Sequence, residues 1–300
     1  MDRLRPRILQ SLDMPVGRDI REAAALLAQR RGGCAVLFYG SVLRTGDMDG
    51  VLDFYVLTPG RSDAMDRLIW PHVSFAELPV SSGRIVRAKV ATMPLDIFGE
   101  AAAGEMVDTT IWTRFVQPSA LVWVSDWASR RAVEDAICSA AMTAASFAAM
   151  LGEEQGSARD YWGALFRQTY TLELRVEKPG RERQILDNNP QWFDDLLPLA
   201  WDAAGIAHDR RGAIYAPRLA PERCRRLFDQ WVARQKTGKW LNAARLLKAG
   251  FTFEGATRYA LWKIERHTGI GLRLTPWRER HPVLAAPGVL FQLWRRTATK

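Results

Sequence analysis

Residues 36–57 read VLFYGSVLRTGDMDGVLDFYVL, and the pattern predicts two strands around a Gly-Ser turn. The first strand, 36–39, is apolar and runs into Gly40-Ser41. A polar, turn-rich loop follows, and the second strand carries one carboxylate, Asp53. These residue types suit a site for a nucleoside triphosphate: glycine lets the backbone approach phosphate, a hydroxyl and N–H groups bind its oxygens, and a strand carboxylate holds Mg²⁺. Side chains alternate along a strand, so Asp53 shares a face with Val51 and Tyr55. The same stretch also suits a plain β-hairpin in which Gly40 only makes the turn and Asp53 joins a surface pair.

Composition sets the frame around this stretch. Three hundred residues, 48% of them apolar, suit roughly two domains with buried cores. Three widely spaced cysteines (Cys34, Cys138, Cys224), with no Cys-x-x-Cys pair, indicate neither a disulfide framework nor a zinc site, and they fit a reducing cytoplasm. The charged start MDRLRPRILQ lacks the apolar core of a signal peptide, and no run of about 18 apolar residues exists to span a bilayer. Charge is uneven: residues 221–300 hold 17 Lys and Arg against 5 Asp and Glu, a net of +12 in a chain of net +9. An excess of this kind points to an anionic partner, either nucleic acid or an acidic lipid surface.

Residues 18–30 predict an amphipathic helix stopped by Gly32-Gly33. Asp47 and Asp49 in GDMDG suit a solvated turn better than a metal. A short helix is expected at 62–70, with Pro71 ending it and His72 at a loop end, two residues before Ser74. Residues 83–92 alternate cleanly and place Arg87 and Lys89 on one face, which suits a triphosphate or equally a solvated edge strand. MPLDIF, at 93–98, is read as extending the sheet and offers Asp96 as a further metal ligand. Residues 109–115 read as a helix holding Arg114, and 119–124 as a strand. From Ser129 onward the pattern is mostly helical, with a basic turn at 178–183 and a basic helix at 257–267, so the domain boundary is set near Asp126. The apolar run 283–294 is too short to span a membrane and is bracketed by Trp and Arg, as an interfacial segment requires; a docked C-terminal helix is the alternative.

Tyr39-Gly40-Ser41, then Leu52-Asp53-Phe54, then Trp70-Pro71-His72-Val73-Ser74-Phe75 resembles, in order and spacing, the motif series of the mitochondrial-type phosphatidate cytidylyltransferases, the translocator-assembly-and-maintenance CDP-diacylglycerol synthases. The resemblance continues through residues 84–87, Arg114 with Pro118, and the Ala-rich helix with SARDYWGALFRQTYTLELRVE, and it fades after about residue 200. It implies an α+β fold: a nucleotidyltransferase-type mixed sheet with flanking helices (1–126), then a mostly helical domain (127–300) with a basic, Trp-rich, membrane-associating end. It further implies Mg²⁺-dependent transfer of CMP from CTP to phosphatidic acid, in the cytoplasm on the inner face of a membrane. On this reading Asp53 holds the metal with Asp96; Arg87 and Lys89 act on the reacting phosphates; Tyr39, Gly40, Ser41, His72, Ser74 and Arg114 bind nucleotide. Val73 stands where the family has Tyr, and Arg87 where it has Lys. Tyr55 stands where nucleotidyltransferases in general place a second carboxylate. Another lipid phosphate or nucleic acid as acceptor, nucleic acid being the less favoured, and a non-catalytic membrane-binding protein on the same scaffold are the competing readings.

Overall fold

The computed structural model describes residues 1–46, 50–60, 70–172, 181–252 and the single positions 255, 257, 258, 261 and 275. Asp47 and Asp49 lie outside them, as do the segment 283–294 and most of the helices expected at 62–70 and 257–267. At the N-terminus, Leu4, Ile8 and Leu12 recur every four residues and are buried. They make α1 (Leu4–Leu12) out of a stretch whose charge hides it from a reading by composition. α2 (Arg18–Arg31) buries Ile20, Ala23, Ala24, Leu27 and Ala28 and ends at Gly32, whose φ of 61° is the left-handed conformation that closes helices.

Next come β1 (Ala35–Tyr39), α3 (Ser41–Thr45), β2 (Leu52–Thr58), β3 (His72–Pro79), β4 (Ile85–Pro94), α4 (Leu95–Ala102), α5 (Thr110–Phe115) and β5 (Ala120–Val124). Three expectations change here. The chain after Gly40 forms a short helix before the turn. MPLDIF ends β4 at Pro94 and then starts α4, with Pro94 at the N-cap and Asp96 in the first turn. His72 opens a strand that the sequence reading lacks. The strands form one mixed sheet in the order β3-β4-β2-β1-β5, with β2 and β4 parallel and the remaining pairs antiparallel. β4 is therefore an interior strand, so Arg87 and Lys89 do not guard an edge.

The two-residue period divides the sheet. Val36, Phe38, Leu52, Phe54, Val56, Val86, Ala88 and Val90 face the back, with the apolar side of α2. Leu37, Tyr55, Leu57, Ala91 and Met93 face the front, with α4, α5 and later helices. Those are α6 (Trp127–Leu151), α7 (Ala158–Leu172), α8 (Arg181–Asn188), α9 (Pro190–Ala203) and α10 (Pro221–Thr252). β6 (Gly156–Ser157), β7 (Ala207–Arg211) and β8 (Ile214–Arg218) add a small antiparallel sheet, order β6-β8-β7, to a half expected to be mostly helical. AHDRR in β7 is largely exposed, so no apolar alternation announces it. The architecture is α+β. One apolar cluster runs from Leu4 through the front of the sheet to Trp231, across the boundary at Asp126. Among the described residues no helix is long and apolar enough to cross a membrane.

Candidate active site

Strand register assembles the site. Tyr39 pairs with Asp53, Asp53 with Lys89, and Lys89 with Phe75, which sets four side chains from four strands in one row on the front face. Adjacent members of such a row stand about 5 Å apart. Asp53 and Tyr39 are half-buried and Lys89 is exposed, so the row opens to solvent towards β4. At its β1 end the chain leaves the sheet through Gly40, with φ at 94°. A Cβ built on Gly40 would lie 2.6 Å from Asp53 Oδ2. Backbone and carboxylate thus approach each other at a distance that only glycine permits. Ser41, exposed, opens α3 directly after this contact.

Aromatic packing places a cation beside the row. Tyr55 lies two residues after Asp53 on the same face, and its ring centroid is 5.5 Å from that of Tyr39 and 5.2 Å from that of Phe115. Arg114 of α5 donates from Nη1 to the Tyr55 hydroxyl at 2.8 Å, and its guanidinium carbon lies 5.3 Å from the Tyr39 ring centre. Tyr55 is therefore an anchor for Arg114. Period two after Asp53 was the available signal for it. Glu77 is a further residue that the sequence reading passes over: its Oε1 is 3.5 Å from Arg87 Nε and its Oε2 is 3.7 Å from Arg258 Nη1. All three side chains are a third or more exposed, so each pair contributes about 0–1 kcal/mol. Gly255 lies against Phe75, at the β3 end of the row, and Arg258 reaches Glu77 of the same strand.

Neither protein-family models nor curated proteins match this chain.

The structure brings together Tyr39, Gly40, Asp53, Lys89 and Arg114, with Ser41 adjoining and Arg87 two residues along β4. His72 and Ser74 stand on the other side of the sheet, and Asp96 stands at the start of α4. His72 and Ser74 pair with Thr92 and Val90, whose side of β4 is the back of the sheet. Ser74 is fully buried there and its hydroxyl accepts from Arg31 Nη2 at 3.0 Å. Alternation along β3 therefore separates both from Asp53. Asp96 follows Pro94, which pairs with Thr58 five residues along β2 from Asp53, and its Oδ1 accepts from the Ile97 N–H at 2.8 Å. It serves the start of α4.

Among the described residues no three His, Cys, Asp or Glu side chains cluster as a metal site. Mg²⁺ commonly takes one or two carboxylates and completes its shell with substrate phosphates and water. Asp53, half-buried beside a glycine cradle, fits the part of that carboxylate. Burial pushes the Cys138 thiol up to about 11 and raises Cys34 as well, which keeps both protonated.

Proposed function

We propose that the chain is a nucleotidyltransferase that transfers CMP from CTP to phosphatidic acid, releasing pyrophosphate and forming CDP-diacylglycerol. The observation that carries this reading is the close approach of Gly40 to the Asp53 carboxylate, with Lys89 in the next register position and Arg114 beside Tyr39. Glycine backbone, a strand carboxylate and converging cations are what a triphosphate and its metal need in one place. The choice of CTP and phosphatidic acid rests on the motif resemblance and on the basic C-terminal region.

In the reaction an oxygen of the lipid phosphate forms a bond to the α-phosphorus of CTP in line, while the bond from that phosphorus to the bridging β-phosphate oxygen breaks. The attacking monoester has its second pKa near 6, so it is largely ionised at neutral pH and needs no strong base. Catalysis is then positioning and charge neutralisation. The backbone at Gly40 and the Ser41 hydroxyl hold the β- and γ-phosphates. Lys89 and Arg114 offset charge on the reacting phosphates, and Arg87 does so when drawn from Glu77. Asp53 would hold Mg²⁺, which would supply charge neutralisation on the phosphate oxygens. His72, Ser74 and Asp96 take no part in this version of the site. The basic C-terminal region holds the protein against the anionic membrane that carries the acceptor.

Each α-labelled nucleoside triphosphate, incubated with Mg²⁺ and phosphatidic acid in anionic vesicles, tests the reading through the chloroform-soluble product. CTP alone should label lipid. Label appearing in nucleic acid instead would replace the acceptor, and no transfer with any nucleotide would overturn the enzymatic reading.

A further inference from the structure

A cavity lies elsewhere in the molecule. It has a volume of about 910 Å³ and opens between α1, α9, the start of α7 and the β7–β8 hairpin. That is the size of a small-molecule site. None of Tyr39, Gly40, Asp53, Lys89 or Arg114 lines it. α1 explains half of it. Leu4, Ile8 and Leu12 fill the core, and the other face of the same helix sends Arg3, Arg7 and Gln10 to the cavity at i, i+4 and i+7. Arg210 arrives from the far wall, and so does Arg159, which is paired with Asp187, so arginines from three separate elements surround one space.

Arg7 is held in place from several sides. Its Nη1 donates to Gln10 Oε1 at 2.9 Å, Nη2 donates to the Gln191 carbonyl at 3.4 Å and pairs with Asp195 Oδ2 at 3.3 Å, and its guanidinium lies 4.7 Å from the Trp192 ring centre. Its Nε is buried without an acceptor. Arg210 lies 5.3 Å over Tyr215 and spends only Nε, on the Gly212 carbonyl at 2.9 Å. Among the described residues its Nη groups, and the whole of Arg3, have no hydrogen-bond partner. Three carboxylates from α9 face these cations: Asp194, Asp195 and Asp202. Asp195 is committed to Arg7, and Asp202, half-exposed, lies 3.8 Å from His208 Nδ1. The spare N–H groups of Arg3 and of Arg210, the latter held over Tyr215, match the oxygens of a phosphate monoester better than any neutral group, and Arg7 stands fixed beside them in the cavity wall. The cavity also offers Phe193, Pro198, Leu199 and Tyr215 to an apolar body.

The geometry points to a second ligand site, separate from the Asp53 row, for an organic phosphate monoester with an apolar body. It stands whether or not the nucleotide reading does. Titration calorimetry with 1-naphthyl phosphate tests it, with 1-naphthol and inorganic phosphate as the two halves of the probe. The intact chain should bind the whole probe, and each half at least about tenfold more weakly. The double variant Arg3→Gln/Arg210→Gln changes two exposed side chains and should weaken binding about tenfold or more while leaving the thermal melt in place. Arg7→Gln should weaken it too, and Asp53→Asn should leave it unchanged. No binding at millimolar probe, naphthol binding as tightly as its phosphate, or an affinity untouched by the double variant would each overturn the proposal.

Discussion

Gly40 and Asp53 are 13 positions apart in the sequence, and each limits what the other can be. Gly40→Ala brings a Cβ to 2.6 Å from the carboxylate at a φ of 94°. The backbone strain alone costs about 1–3 kcal/mol, and the carboxylate must also move. Urea unfolding should show that loss of stability, and CMP transfer should fall further than stability does, because the displaced group is the one argued to hold the metal. Asp53→Asn is the complementary change, equal in volume but with the charge removed. It should fold normally by circular dichroism and lose turnover by about 10²–10³-fold, the scale of one preorganised electrostatic group. A near-normal rate with saturating substrates and Mg²⁺ would remove Asp53 from the mechanism.

The pleat of β3 and the cap of α6 show what single elements decide. His72 and Ser74 belong to a strand whose neighbour in the sheet carries Lys89, yet alternation turns them to the back. Ser74→Ala should therefore lower stability by about 1 kcal/mol, through the lost bond from Arg31, and leave kcat/KM for CTP within about twofold. A large loss of activity at unchanged stability would put Ser74 back among the nucleotide contacts. At the start of α6, Asp126 accepts from the hydroxyls of Ser125 and Ser129 and from the Ser129 N–H, which together hold its carboxyl at about 2, below the usual carboxylate range. A depressed carboxylate adds stability above its unfolded pKa of 3.8 and loses it as pH falls towards 2. Asp126→Ala should thus melt earlier than the parent at neutral pH, and thermal melts should show the gap closing between pH 4 and pH 2.

At the scale of the whole molecule, one apolar cluster has members on both sides of Asp126. α1 lies between halves: Leu4, Ile8 and Leu12 share a cluster with Val133, Ile137 and Phe193. Ion pairs follow the same seam. Arg5 and Arg130 both reach the buried Glu134, at 3.2 and 2.9 Å, and Arg130 reaches Asp13 at 2.6 Å. A fragment of residues 1–126 keeps every strand of the large sheet but loses the cover of its front face. It should show no cooperative melt and few dispersed amide resonances, whereas the full chain shows both. An independently folding fragment would mean that the shared core contributes little.

The sequence by itself determined the elements whose signals are local. Residues 36–57 announced two strands and the glycine between them, Gly32 announced the end of α2, and alternation in 83–92 put Arg87 and Lys89 on one face with Val86, Ala88 and Val90 on the other. The closeness of Gly40 to Asp53 was legible for the same reason, because Gly40 directly follows β1, which pairs with the strand that carries Asp53. Only the tertiary structure decided which strands are neighbours. Inserting β4 between β3 and β2 made it an interior strand and set Lys89 beside Asp53. The same pairing fixed the pleat of β3 and so removed His72 and Ser74 from the site, since a motif gives spacing along the chain but not the side of the sheet. Tyr55 looked like a missing carboxylate until α5, some 55 residues later, brought Arg114 to its hydroxyl. Contacts of that range depend on how elements pack, and packing is a property of the assembled core rather than of any one stretch.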